Sequence, residues 1–147
     1  MIVHIWTVLC SQTSVDKTSN NISLFNVLEE LKVAGLTLNS EKTYVLPISF
    51  ELVTFWARDD DNKPTKGQAR VRLLAPNGMD MKEQVWDVDL SSFQRFRSII
   101  KINGLPVKQA GRYQFQIQIK DEDDSTWRVC SKVPLQIIFK PSPEKIT

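Results

Sequence analysis

GRYQFQIQIKD, from Gly111 to Asp121, is the stretch that decides the fold. Within it Tyr113, Phe115, Ile117 and Ile119 alternate strictly with Gln114, Gln116 and Gln118. Successive side chains of a strand point to opposite faces, so this period sets one apolar stripe on a core and one amide stripe in water. Strands covered on both faces read instead as unbroken apolar runs. The segment predicts an antiparallel sheet with one wet face.

Working back toward the N-terminus, Phe93 to Ile102 alternates basic and apolar residues, and Glu83 to Leu90 reads as a short strand. ARVRLL (Ala69 to Leu74) alternates again and runs into Ala75-Pro76-Asn77-Gly78, where Asn-Gly supports a tight turn. The long segment from Lys42 to Asp59 carries Tyr44, Leu46, Ile48, Phe50, Leu52 and Trp56 at even spacing. Pro47 falls on its other face and lacks a backbone donor, which suggests an edge or a bulge. Val3 to Gln12 is rich in β-branched and aromatic residues and predicts a first strand. Asp16 to Asn21 (DKTSNN) is a turn of residues that hydrogen-bond their own backbone. Ile22 to Leu31 is ambiguous. Leu24, Val27, Leu28 and Leu31 fit a helical stripe, whereas the preceding turn favours a return strand, the reading adopted.

Toward the C-terminus, DEDDS (Asp121 to Ser125) makes a turn and Thr126 to Phe139 closes the sheet. The last residues, 141–147, are expected to form a flexible tail. About eight strands with turns at intervals of roughly 8–15 residues predict a β-sandwich or barrel rather than an α/β enzyme. Residues 1–140 form the expected single domain.

At 147 residues the chain is long enough to bury a core without disulfides or metals. Its 41% apolar and 24% charged content excludes wholesale disorder. A net charge of +2 is too small to imply a nucleic-acid or acidic-membrane partner. No apolar run approaches the roughly 20 residues that span a bilayer. The opening MIVHIWTVLCS lacks a basic region and a small-residue cleavage site, so the cytoplasm is the expected compartment. Cys10 and Cys130 are expected as free thiols packed like small hydrophobes.

Catalytic signatures are missing. His4 is the only histidine, and GxSxG, HExxH, P-loop and GxGxxG patterns do not occur. A non-enzymatic role without cofactor follows as the expectation. Two alternatives rest on charge. Asp59, Asp61, Asp121, Asp123 and Asp124 stand on acidic loops that could supply hard oxygen ligands to calcium, as in C2 domains. Arg70 with Arg72, Arg95 with Arg97 and Lys101, and Arg112 with Lys120 could form a cationic sheet face for nucleic acid if their strands were neighbours. Neither the acidic nor the basic pattern carries a defined ligand order, and ordinary solvated loops and faces explain both. Of the four tryptophans, Trp56 belongs to an apolar stripe, whereas Trp86 and Trp127 lie near strand ends and could anchor a partner.

The N-terminal pattern WTVLCSQTSVDKTSNNISLFNVLEEL (Trp6 to Leu31) resembles the start of a family of small uncharacterised bacterial proteins. RVRLLAPNG (Arg70 to Gly78) and GRYQFQI (Gly111 to Ile117) are similar to segments of immunoglobulin-like sandwiches. Tyr113 stands where such folds place a tyrosine corner. The Cys-Trp-Cys spacing of true immunoglobulin domains is missing, so the resemblance implies an architecture and no activity. The sequence thus predicts an antiparallel immunoglobulin-like β-sandwich that contacts another protein through loops or a sheet edge. Trp86, Trp127, Arg95 and Arg97 are the expected contact residues.

Overall fold

The computed structural model describes residues 1–34 and 42–140, and the expected C-terminal tail lies outside them. Among the described residues nine strands follow one another: β1 (Ile2–Val15), β2 (Ile22–Val27), β3 (Glu30–Ala34), β4 (Tyr44–Arg58), β5 (Thr65–Leu74), β6 (Asp80–Leu90), β7 (Arg95–Val107), β8 (Gly111–Asp121) and β9 (Arg128–Lys140). They form two sheets, ordered β2-β1-β4-β7 and β3-β9-β8-β5-β6. Every pairing is antiparallel except β3 with β9, which is parallel. The expected count of about eight strands is refined to nine, and the expectation of an antiparallel fold is corrected by the parallel β3–β9 pair.

Both differences arise at Ile22 to Leu31, where one apolar run serves two sheets. The Leu28 amide donates to the Leu9 carbonyl at 2.8 Å, the last rung on β1. One residue later the Glu29 carbonyl accepts from the Gln136 amide at 3.1 Å, the first rung on β9. The chain changes sheets between these bonds, and Asn26, at φ 55°, supplies a left-handed kink just before the crossing.

Between the sheets lies one apolar core. Phe50, Leu52 and Trp56 of β4 meet Val71 and Leu73 of β5 and Tyr113, Phe115, Ile117 and Ile119 of β8. Phe50 and Phe115 pack edge to face across the sandwich, with ring centroids 6.0 Å apart. Trp56 is fully buried, so its indole N–H needs a partner and finds the Thr54 hydroxyl at 2.8 Å. The His4 ring meets the same indole edge-on at 5.3 Å, and its Nε2 lies 2.6 Å from the Thr7 hydroxyl. Burial holds the His4 pKa below its ordinary value.

Tyr113 closes the corner that leads into β8. Its hydroxyl donates to the Gln109 carbonyl at 2.8 Å and accepts from the Lys108 and Gln109 amides at 3.0 and 3.3 Å. On the open side of the sandwich, Trp86 of β6 donates to the Ser98 hydroxyl of β7 at 2.9 Å. That bond stitches an edge of one sheet to an edge of the other.

A second, smaller apolar layer lies outside the sandwich. Val53 alternates with Leu52 and Thr54, which face the core, so it points outward, yet it is fully buried; Cys10 is buried on the same outer face. What covers them is a β-arm. After Cys10 pairs with Glu51, β1 leaves β4 and pairs only with β2, from Gln12 opposite Phe25 to Val15 opposite Ile22. The arm turns back over its own sheet. Its tip comes to rest against β7, where Arg97 donates to the Asn20 carbonyl at 3.1 Å.

Candidate interaction groove

The folded arm leaves a groove of about 590 Å³ between its tip and the outer face of β4 and β7. The volume falls within the roughly 300–1,000 Å³ of ordinary ligand sites. Phe55 and Ile99 form its floor, Val15 and Asn20 one wall, and Phe93 and Arg95 the other. Phe93 is 67% exposed, the largest exposure of any aromatic side chain described. An aromatic ring left in water at the lip of a concave apolar surface is the arrangement expected of a contact site rather than of a core.

Both walls are braced from within. On the arm, the Asp16 carboxylate accepts from the Thr18 and Ser19 amides at 2.7 and 3.2 Å, which pulls its pKa down. Asn20 takes the left-handed conformation at φ 61°, and its amide returns to the Asp16 carbonyl at 2.8 Å. This turn chemistry, legible in DKTSNN, fixes the carbonyl that Arg97 holds. On the other wall, Asp89 accepts from the Ser91 amide at 2.9 Å. Arg58 reaches under the same turn, donating to the Leu90 and Ser91 carbonyls at 2.8 and 3.3 Å. The loop that carries Phe93 is therefore held before any partner arrives, which lowers the ordering cost of binding.

The charge is one-sided. Arg95 is exposed and Arg97 half-buried, and among the described residues no carboxylate lines the groove. Among the described residues neither arginine forms an ion pair.

The other expected site residues fall elsewhere. The basic stripe divides between opposite faces of the molecule: Arg95, Arg97 and Lys101 lie on β7 in the first sheet, whereas Arg70, Arg72, Arg112 and Lys120 lie on β5 and β8 in the second. A single cationic sheet face is thereby excluded. On the second sheet, Glu83 and Asp80 of β6 pair with Arg70 and Arg72. Trp127 shields part of that face, with the Arg70 guanidinium 4.5 Å and the Lys120 ammonium 5.0 Å from its ring centroid. Trp127 and Trp86 are thus both engaged within the chain.

The acidic loops gather at the end of the molecule that holds the N-terminus. Asp59 pairs with the Met1 ammonium at 3.0 Å, and Asp121 accepts from the Ile2 amide at 2.9 Å and from Arg128 at 3.1 Å. Asp124 accepts from the Asp121 amide at 3.2 Å, while Asp61 and Asp123 are exposed. Among the described residues no three His, Cys, Asp or Glu side chains converge to hold a metal ion. Cys10 and Cys130 are free thiols in different sheets; burial pushes Cys130 up to about 11 and raises Cys10 as well.

Arg95 and Arg97, named from the sequence as contact residues, line this candidate groove, whereas Phe93, Asn20 and the arm were not anticipated. An apolar Phe93 inside the polar turn SSFQ was the available signal. No protein-family model matches the chain, and no curated protein sequence matches it. No helix among the described residues is long and apolar enough to cross a membrane.

Proposed function

We propose that this chain is a non-enzymatic interaction module of immunoglobulin-like architecture that holds a protein partner in the arm groove. Two features support the finer architecture. The Tyr113 hydroxyl ties the start of β8 to backbone four residues upstream, as in a tyrosine corner. Sandwiches of this class also lay an early strand beside the last one, as β3 lies beside β9. Architecture alone assigns no activity, so the functional reading rests on the groove.

The observation that carries it is Phe93, exposed on a braced loop over an apolar floor and flanked by Arg95 and Arg97. Aromatic and arginine side chains dominate the binding energy of protein interfaces, and pre-organised ones do so most efficiently. Capture of the tagged protein from native lysate tests this. A stoichiometric protein that survives nuclease, and that is lost with Phe93→Ser, supports the reading. Material that disappears with nuclease contradicts it.

A further inference from the structure

Resting on that reading, we infer that the groove's occupant is an acidic peptide segment whose carboxylates flank one or two large apolar side chains. The residues lining the groove point to this chemistry. Phe55 and Ile99 on the floor and Phe93 at the lip give the groove an apolar strip, and Ser19, Asn20 and Asn21 of the arm tip add neutral polar groups beside it. Arg95 and Arg97 sit on alternate positions of β7, so their Cα atoms share one face of the strand and border the groove together. Arg97 is already anchored to the Asn20 carbonyl, which orients its guanidinium without neutralising it. Arg95 has no carboxylate partner among the described residues. Two uncompensated guanidiniums beside an apolar cleft complement carboxylates placed next to a buried hydrophobe, and arginine is suited to bidentate carboxylate pairing.

Single-stranded nucleic acid is the competing occupant and fits less well. It uses a cationic track along the backbone with successive exposed aromatic platforms, whereas of the three described phenylalanines lining this groove only Phe93 is exposed, and the two arginines lie two residues apart on β7.

Three fluorescein-labelled peptides of equal length test the inference on the full chain by anisotropy. One carries Asp-Glu-Leu-Phe-Glu-Asp, the second replaces each acid with lysine, and the third replaces Leu-Phe with Gly-Ser. Only the first is expected to bind, and salt should weaken it. Arg95→Glu and Phe93→Ser should each weaken it by about tenfold or more, while Trp127→Ala leaves it unchanged. Equal binding of the lysine peptide, competition by oligothymidine, or indifference to both groove variants would overturn the inference. Failure of all three peptides would also overturn it. If a lysate partner were then still lost with Phe93→Ser, the groove would remain the interaction site and only its ligand chemistry would be wrong.

Discussion

Arg97 of β7 donates to the Asn20 carbonyl at the arm tip, joining two residues 77 positions apart at 3.1 Å. This bond closes the arm over the outer face of the first sheet and turns that face into a groove. Removing it should loosen the arm more than the fold. Arg97→Ala is expected to cost about 1 kcal/mol or less in global stability, because one exposed hydrogen bond is lost. Amide exchange in Gln12–Ser14 and Ser23–Phe25 should quicken while exchange in β8 does not. Uniform exchange across all of these would show that the arm is held by other contacts.

The three hydrogen bonds of the Tyr113 hydroxyl sit where the chain crosses from β7 to β8. Tyr113→Phe keeps the buried ring and strands two amides and a carbonyl. A loss of about 1–3 kcal/mol is expected in denaturant unfolding, with an unchanged slope. A loss under about 0.5 kcal/mol would show that water satisfies these groups equally well.

Gly67 of β5 stands opposite Asp121 of β8. A β-carbon there would fall on the Lys120 carbonyl oxygen and press the Asp121 backbone and the Ile2 side chain, both at 3.0 Å. Gly67→Ala should destabilise the fold by about 1–3 kcal/mol through overpacking. An unchanged melting temperature would mean that the two strands separate freely at this point.

His4 gives the fold a pH dependence of known sign. Burial lowers its pKa from 6.5, so below that pH the unfolded chain binds a proton that the folded chain resists. Its contribution is complete above pH 6.5 and is lost as the pH falls toward the depressed folded value. The carboxylates lowered by hydrogen bonds and ion pairs, Asp16, Asp59, Asp80 and Asp89, act only further down, below their ordinary 3.8. His4→Gln should therefore flatten the fall in stability that begins as the pH drops below 6.5. Parallel profiles for the two proteins would assign the slope elsewhere.

Much of the sandwich was legible because its signals are local. The alternation of Tyr113 to Ile119 and of Tyr44 to Trp56 marks which face each strand buries, and the structure buries those faces. The sheet change at Leu28 and Glu29 was not legible, because apolar residues on either side of it look alike whichever sheet they join. The arm was hidden for a related reason. Val53 and Phe55 read as the outer face of a strand, and only the return of Asp16 to Asn21 across β7 turns that face into the floor of a site. Arg95 and Arg97 were picked out by charge, whereas their separation from Arg70 and Arg72 depends on strand order, which periodicity does not encode.

The face that a partner touches distinguishes the arm groove from the second sheet. A photocrosslinking amino acid would replace Phe93 on the groove or Val129, which is exposed at 48% on the second sheet. After irradiation in native lysate, a discrete protein adduct at position 93 and none at 129 is the predicted result. An adduct at 129 alone would place the interaction on the Trp127 face and contradict the account.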